Sequence, residues 1–309
     1  MTSQVPPNSS LTKKNGFAEA DEEMEEADER WTDLQLAAKD GDLIRVKELI
    51  AQGADVNAPP RGYSGNTALQ AACLYGHADM VRILIEAGAD VNAAGGNHGS
   101  RNAIQQACFG GHQPIIKILL QAGADINAPA ARYLGRTALQ AAAEEGHLDV
   151  VKMLIEEEAD VNARPAATMG LTALQAAALR SHRDIVQFLL EKGANVNAAP
   201  ARHGGATALQ GAALRGNLAI VNMLIDAGAE VNAPGSSFKG GRALHAAAEK
   251  GNIAVAQRLL EAGASLELTS GWGHQTALQS AAVCGQDEMV ELLRSAGAAG
   301  TTGGGSILF

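Results

Sequence analysis

Aromatic residues, cysteines and long apolar stretches are all scarce in this sequence of 309 residues. Aromatic side chains make up 3% of the chain, and the only cysteines are Cys73, Cys108 and Cys284. This small, odd number, in Ala-rich contexts, argues against a disulfide framework and predicts reduced, buried thiols. The chain has no run of 18 apolar residues, and its start from Met1 to Ser10 is polar. We therefore expect a soluble protein of the cytoplasm or nucleus that does not interact with membranes.

Motifs for catalysis and for metal or phosphate binding are also missing. There is no His-Glu-x-x-His, Cys-x-x-Cys or Gly-x-Ser-x-Gly pattern, and Gly95–Gly99 lacks the Lys-Ser/Thr pair of a phosphate loop. Four histidines recur at one position of successive repeats: His77, His112, His147 and His182. Stacked repeats would separate them by about 8–10 Å, whereas zinc ligands lie about 2 Å from one ion. We interpret them as turn-capping residues and predict no catalytic residue, metal or cofactor.

The sequence is rich in small and aliphatic residues. Apolar residues make up 46% of the chain and there are 35 glycines. This composition suits closely packed short helices better than a core built around large side chains. The net charge of −10 is uneven, because residues 1–30 contain eight acidic and three basic residues. We predict that residues 1–30 are an acidic tail, disordered or partly helical.

A fixed period organises the rest of the chain. The tetrapeptide Thr-Ala-Leu-Gln and its degenerate copies recur every 35 residues, once 34, which defines eight units. The intact copies begin at Thr67, Thr137, Thr172, Thr207 and Thr276, and the degenerate copies begin at Thr32, Asn102 and Arg242. A unit this short cannot bury its own apolar face, so neighbouring units must stack and share one core.

Each unit has the pattern of two short helices and a loop. Thr-x-x-Gln before an Ala-rich run is a capping box that opens the first helix, which ends near Gly-His, as at Gly76 and His77. A second amphipathic run over residues 80–85 leads to Gly88, which suits the left-handed residue after a helix. Asp-Val-Asn-Ala and a Gly- and Pro-rich loop follow, in which residues such as Asn57 are expected to bond local backbone. We call each loop a finger and number it by the unit that follows it.

The order Thr-x-Leu-x-x-Ala-Ala, Gly-His, Leu-Leu, Gly-Ala-Asp-Val-Asn-Ala resembles the ankyrin repeat over residues 31–298. The resemblance implies an all-α ankyrin-repeat solenoid: eight stacked helix-turn-helix units with β-hairpin or loop fingers, followed by a flexible Gly-rich tail over residues 299–309. Thr-Ala-Leu-Gln in place of Thr-Pro-Leu-His is similar to ankyrin arrays of filamentous fungi. Four sites depart from the pattern, at Glu158, Ser181, Arg242 and Leu266-Glu267. We expect local irregularity in units four to eight.

The fingers differ in charge from the rest of the chain. Fingers 2 to 7 contain arginine, lysine and aromatic residues but no acid. The resemblance implies that finger tips and first helices line a concave groove, and arginine and aromatic residues are enriched at binding hot spots. The predicted binding residues are Arg61, Tyr63, Tyr75, His98, Arg101, Phe109, Arg132, Tyr133, Arg164, Arg180, Arg202, His203, Arg215, Phe238, Lys239 and Trp272.

The leading functional hypothesis is a monomeric protein-interaction scaffold whose groove binds an acidic or phosphorylated segment of another protein. An alternative is a groove recruited as a small-molecule-binding or catalytic site of fungal metabolism, with an anionic substrate held by Arg132, Arg164 and Arg202. Acid or base catalysis would then fall to His203, Tyr133 or Glu145. Nucleic acid is disfavoured as a partner by a pI near 5.3 and the lack of dense Lys/Arg clusters.

The acidic run Glu19–Glu29 is open to three interpretations. It is a solubilising tail, a helical cap on the first unit, or an intramolecular competitor that folds over the basic fingers.

Overall fold

The array consists of sixteen helices in eight pairs, in a computed structural model that describes residues 31–60, 65–95, 101–236, 240–269 and 274–298. The first helices of the pairs are α1 Asp33–Asp40, α3 Ala68–Leu74, α5 Ala103–Phe109, α7 Ala138–Glu145, α9 Ala173–Arg180, α11 Ala208–Arg215, α13 Ala243–Lys250 and α15 Ala277–Val283. The second helices are α2 Leu43–Ala51, α4 Ala78–Glu86, α6 Gln113–Gln121, α8 Leu148–Glu156, α10 Arg183–Glu191, α12 Leu218–Asp226, α14 Ile253–Glu261 and α16 Asp287–Ser295. The predicted tails, 1–30 and 299–309, lie outside the described residues, so their boundaries stay predictions.

The predicted capping box starts the first helices. In α3 the Gln70 amide donates to Thr67 Oγ1 at 3.2 Å, and the Thr67 amide donates to Gln70 Oε1 at 3.0 Å. The glutamine has a second role that the sequence did not reveal. Its Nε2 donates to the carbonyls of Ala93 and Ala94, at 3.0 and 3.1 Å, in the next finger. One side chain therefore caps a helix and also fixes the loop that follows its unit.

The helix pairs pack into a curved stack. The first helices are rich in fully buried alanines, such as Ala71 and Ala72, so successive first helices approach one another closely. The second helices bury a single stripe, such as Met80, Val81 and Leu84, and contact one another less. Closer packing along one row bends the array towards that row, which places the first helices on the concave side.

The recurring histidines join neighbouring units instead of capping their own helices. His77, His112, His147 and His182 precede second helices but make no side-chain cap bond. Each Nε2 lies 2.9–3.1 Å from a carbonyl oxygen at the end of the preceding unit's first helix. A carbonyl only accepts, so Nε2 carries the proton and donates. The turn-capping interpretation was therefore wrong, although the structural role was right.

The asparagines of Val-Asn-Ala also act between units, not locally as predicted. Asn57 Nδ2 donates to the Gly88 carbonyl at 2.9 Å, and Asn57 Oδ1 accepts from the Asp90 amide at 2.7 Å. Six asparagines repeat this pair of bonds down the array, at Asn57, Asn92, Asn127, Asn162, Asn197 and Asn232. Glu267 stands at the next position, so the pattern stops before the last unit.

The expected irregularity is mostly absent from the helices. Glu158 and Ser181 adopt the left-handed conformation of the glycines that they replace, with φ of 65° and 66°, and the helices before them keep their normal lengths. Arg242 begins α13 without a side-chain cap bond. The departures therefore affect caps and links between units, not the course of the helices.

The thiols divide into two kinds. Cys73 and Cys108 are free and fully buried, as predicted, and burial raises their pKa far above the usual value. Cys284 is free but exposed, which corrects the prediction that it is buried. It occupies the position that Tyr75 has in unit two, at the end of a first helix, and Tyr75 is exposed as well. No helix within the described residues is long and apolar enough to cross a membrane.

Candidate functional site

Ten of the sixteen predicted binding residues lie in the described part of the chain. The other six lie outside the described residues: Arg61, Tyr63, His98, Phe238, Lys239 and Trp272. Seven of the ten form three groups along the concave side: exposed arginines on fingers, stacked pairs near the first helices, and an ion-pair cluster in unit four. Tyr133 and His203 lie in finger bridges, and Arg215 bonds a backbone carbonyl.

Three finger arginines face solvent. Arg132, Arg164 and Arg202 are all exposed, and within the described ranges they form no ion pair. Arg132 and Arg164 line a shared cleft of about 350 Å³ between fingers 4 and 5, together with Asp160. Arg202 does not line this cleft, and neither do the proposed acid–base residues His203, Tyr133 and Glu145. The structure thus brings two of the three arginines together but does not assemble the alternative catalytic site.

Two predicted aromatic residues form stacked pairs at the first-helix ends. The Arg101 guanidinium lies 4.0 Å from the centroid of the Phe109 ring, close enough for a cation–π interaction. Burial lowers the pKa of Arg101, while the nearby Glu144 acts in the opposite direction. Tyr75 is exposed, and its ring stacks against His77 with centroids 6.5 Å apart. Tyr75 therefore presents an accessible aromatic surface, whereas Phe109 is half-buried beneath Arg101.

Unit four contains a buried ion-pair cluster. Arg136 Nε donates to Glu144 Oε2 at 2.6 Å, and these side chains are only 7% and 14% exposed. Arg180 Nη2, from unit five, donates to Glu144 Oε1 at 3.1 Å. Burial alone would raise the pKa of Glu144, but Arg136 and Arg180 outweigh it and hold the pKa below its usual value. Arg180, predicted to bind a partner, is thus already paired within the protein.

The basic fingers are therefore less uniform than the sequence suggested. Arg136 is buried, Arg215 donates from Nε to the Leu179 carbonyl at 2.9 Å, and Arg242 donates to the Asn232 carbonyl. These contacts arise between residues 10 to 36 positions apart, which a local charge pattern does not reveal. The arginines without such contacts are those at the finger tips and edges.

Successive fingers are tied together at their tips. Isolated parallel bridges join Tyr133 to Thr168 and Thr168 to His203. Within the described residues these bridges run between fingers and no hairpin strands form, so of the two predicted forms, hairpin or loop, the fingers are loops. Fingers 4 to 6 therefore form one continuous edge that carries Tyr133 and His203, both exposed.

The described residues contain no group of three or more His, Cys, Asp or Glu side chains that could hold a metal ion. Stacked helix pairs, a shared core and fingers linked edge to edge define an α-solenoid repeat protein. A family model described as Ankyrin repeats (3 copies) matches residues 10–95, 94–165, 165–235 and 209–302. The chain belongs to the ankyrin repeat family, and this membership supports a protein–protein interaction module.

Two comparisons with individual proteins agree with this assignment. The crystal structure of the human ASB11 ankyrin repeat domain is similar with a TM-score of 0.61 and 30% sequence identity, over 76% of this chain and 99% of that chain. Phytochrome-interacting ankyrin-repeat protein 1 of Arabidopsis thaliana is 61% identical over 31 residues, 10% of this chain. The chain spans only 18% of that relative's length.

Proposed function

We propose that the concave side of this ankyrin array binds an acidic or phosphorylated segment of another protein through the finger arginines. The observation that supports this proposal is the exposure of Arg132, Arg164 and Arg202 without partners in the described part of the chain. A guanidinium forks onto carboxylate or phosphate oxygens, so three unpaired arginines along one edge favour an anionic segment. Exposed Tyr75 and Tyr133 add aromatic surface to the same side.

A charge reversal tests the proposal. The triple substitution Arg132→Glu, Arg164→Glu, Arg202→Glu should abolish capture of partners that the unaltered chain retains from a cell extract. The matched control reverses three exposed cations on second helices, Arg82→Glu, Lys117→Glu and Arg183→Glu, and should retain those partners.

Quantitative mass spectrometry of the captured proteins gives the readout. Phosphatase treatment of the extract separates phosphorylated from acidic segments, because only the former lose binding. Capture of the same proteins by both triple variants would refute the proposal. A monomeric state, a cytoplasmic or nuclear location and a fungal origin stay predictions.

A further inference from the structure

Fingers 4 and 5 hold two bulky apolar residues in a backbone conformation that favours glycine. Leu134 and Met169 have φ of 53° and 54°, and their side chains are 42% and 44% exposed. The equivalent residue of finger 6 is Gly204, with φ of 72°. Glycine adopts this conformation without strain, so finger 6 has the unstrained residue at the position where fingers 4 and 5 have Leu134 and Met169.

Both strained residues are held in place by the ion-pair cluster. The Leu134 and Met169 amides donate to the carbonyls of Thr168 and His203, at 3.2 and 2.9 Å. Arg136 Nη1 donates to the carbonyls of Leu134 and Met169, each at 3.3 Å. Since Glu144 fixes Arg136, a buried ion pair maintains the strained tips.

The position of Arg136 is occupied differently in the next units. Leu171 and Ala206 occupy the equivalent positions of units five and six, so of these three units only unit four has an arginine that can hold the finger carbonyls. Strain that the surroundings maintain at an exposed point is typical of a functional surface.

The exposed side chains form an apolar ridge with cations beside it. We define the finger ridge as Tyr133, Leu134 and Met169. Met169 reaches across to finger 6, where a Cβ on Gly204 would lie 3.1 Å from Met169 Cγ. Arg132 precedes Tyr133, Arg202 precedes His203, which is bridged to Thr168, and both arginines are exposed. The ridge therefore suits a large apolar side chain within an acidic segment.

We propose that the finger ridge is a docking site for the acidic N-terminal segment of the same chain, with Phe17 on Leu134 and Met169. Residues 19–29 contain eight acidic residues and no basic one, which complements the exposed finger arginines. The proposal shares its surface with the proposed function, so this segment would compete with an external partner.

Chain length selects Phe17 as the anchor. Trp31 occupies the position in unit one that Arg136 occupies three units later, and Lys39 Nζ lies 5.5 Å from the Trp31 ring. Met169 lies in finger 5, one unit beyond Arg136, so four units separate it from Trp31 by about 32–40 Å. Phe17 precedes Trp31 by 14 residues, which span up to about 46–50 Å. Met24 precedes it by seven residues, which span only about 23–25 Å. Phe17 therefore reaches Met169, whereas Met24 stops short of it.

Photocrosslinking in the full chain tests this docking. A benzophenone amino acid replaces Met169, and after irradiation, mass spectrometry identifies the crosslinked peptides. We expect crosslinks to peptides containing Phe17, and loss of most of them with Phe17→Ala or with Arg132→Glu and Arg202→Glu together. The control places the benzophenone at Val283, an exposed site seven units from Trp31 and about 56–70 Å away. Phe17 cannot reach it, so no such crosslink should form.

Isotope labelling completes the test. In a mixture of light and heavy protein, docking within one chain gives no mixed crosslinks. Mixed crosslinks would overturn the proposal in favour of a second copy, and absent crosslinks at position 169 or equal crosslinks at position 283 would overturn it outright. The experiment contains no external partner, so its failure is distinguishable from failure of the charge-reversal capture.

Discussion

Glycines that look alike in the sequence have different reasons to be glycine. Gly146 ends a first helix with φ of 87°, and a Cβ added there would lie 2.6 Å from His182 Cε1. Gly123 follows a second helix with φ of 86°, and a Cβ there would meet nothing within 4 Å. Both need the left-handed conformation, but only Gly146 also makes room for the ring of the next unit.

Gly146→Ala should therefore destabilise the protein more than Gly123→Ala does. Both substitutions incur a left-handed penalty of about 1–2 kcal/mol, and displacing the His182 ring adds about 1–3 kcal/mol for Gly146. Urea denaturation midpoints of the two variants give the comparison, with Gly123→Ala as the control. Equal shifts in the two midpoints would show that the His182 ring moves aside freely.

Ser181 shows how the sequence itself compensates for a lost glycine. A histidine at position 217 would meet the Ser181 side chain, as His182 lies against Gly146. The sequence has Asn217 instead, and its side chain caps its own helix by accepting from the Ile220 amide at 3.2 Å. Ser181 was noted from the sequence as a departure, but its partner 36 residues away becomes evident only in the stack.

At the scale of elements, the Arg136–Glu144 pair joins finger 4, finger 5 and α7. A buried ion pair is strongly destabilising to break, by about 3–5 kcal/mol, because one charge then stays buried alone. The folded-state pKa of Glu144 lies below its unfolded value. Its contribution is therefore fully present above the unfolded pKa and is lost as pH falls through the folded pKa.

Glu144→Gln should lower the free energy of unfolding by about 3 kcal/mol at pH 7. The difference in free energy of unfolding between this variant and the unaltered chain should become smaller below about pH 4.3, where glutamate protonates in the unfolded state. Urea denaturation between pH 7 and pH 3 measures both effects. Glu145→Gln, at an exposed neighbouring site, is the control and should have little effect. A difference that stays constant with pH would contradict an ionised Glu144 in the folded protein.

Elements built from adjacent residues could be predicted, and links between units could not. The threonine and glutamine of the capping box, Thr67 and Gln70, are three positions apart, so their spacing alone predicts a helix start. The bonds of Asn57 to Gly88 and Asp90 span 31 and 33 residues and depend on how units stack. The candidate site follows the same rule. The exposed finger arginines could be predicted from the charge pattern of the fingers. The burial of Arg136 could not, because it depends on the ion pair with Glu144.

At the scale of the whole molecule, two of the repeating links between units are interrupted or longer at the last unit, within the described residues. Glu267 interrupts the asparagine links before unit eight, and Gln286 Nε2 reaches the Glu249 carbonyl at 3.4 Å, longer than the histidine bonds. Val283 in α15 is 72% exposed. Because stability in a solenoid is a sum over neighbouring units, weak attachment at one end lowers the stability of that end first.

Hydrogen exchange should show this order, with amides in α15 and α16 exchanging faster than those in α7 and α8. Leu154 and Leu293 are both fully buried, one in α8 and the other in α16, so they form a matched pair. Each truncation to alanine removes about 2–5 kcal/mol locally. Leu293→Ala should accelerate exchange on one side only, in units seven and eight, since only one described neighbour adjoins unit eight. Leu154→Ala should accelerate exchange on both sides, in units three to five, because unit four packs against a neighbouring unit on each side. Uniform acceleration along the chain by either variant would mean that the array unfolds as one cooperative block and that nearest-neighbour coupling does not describe it.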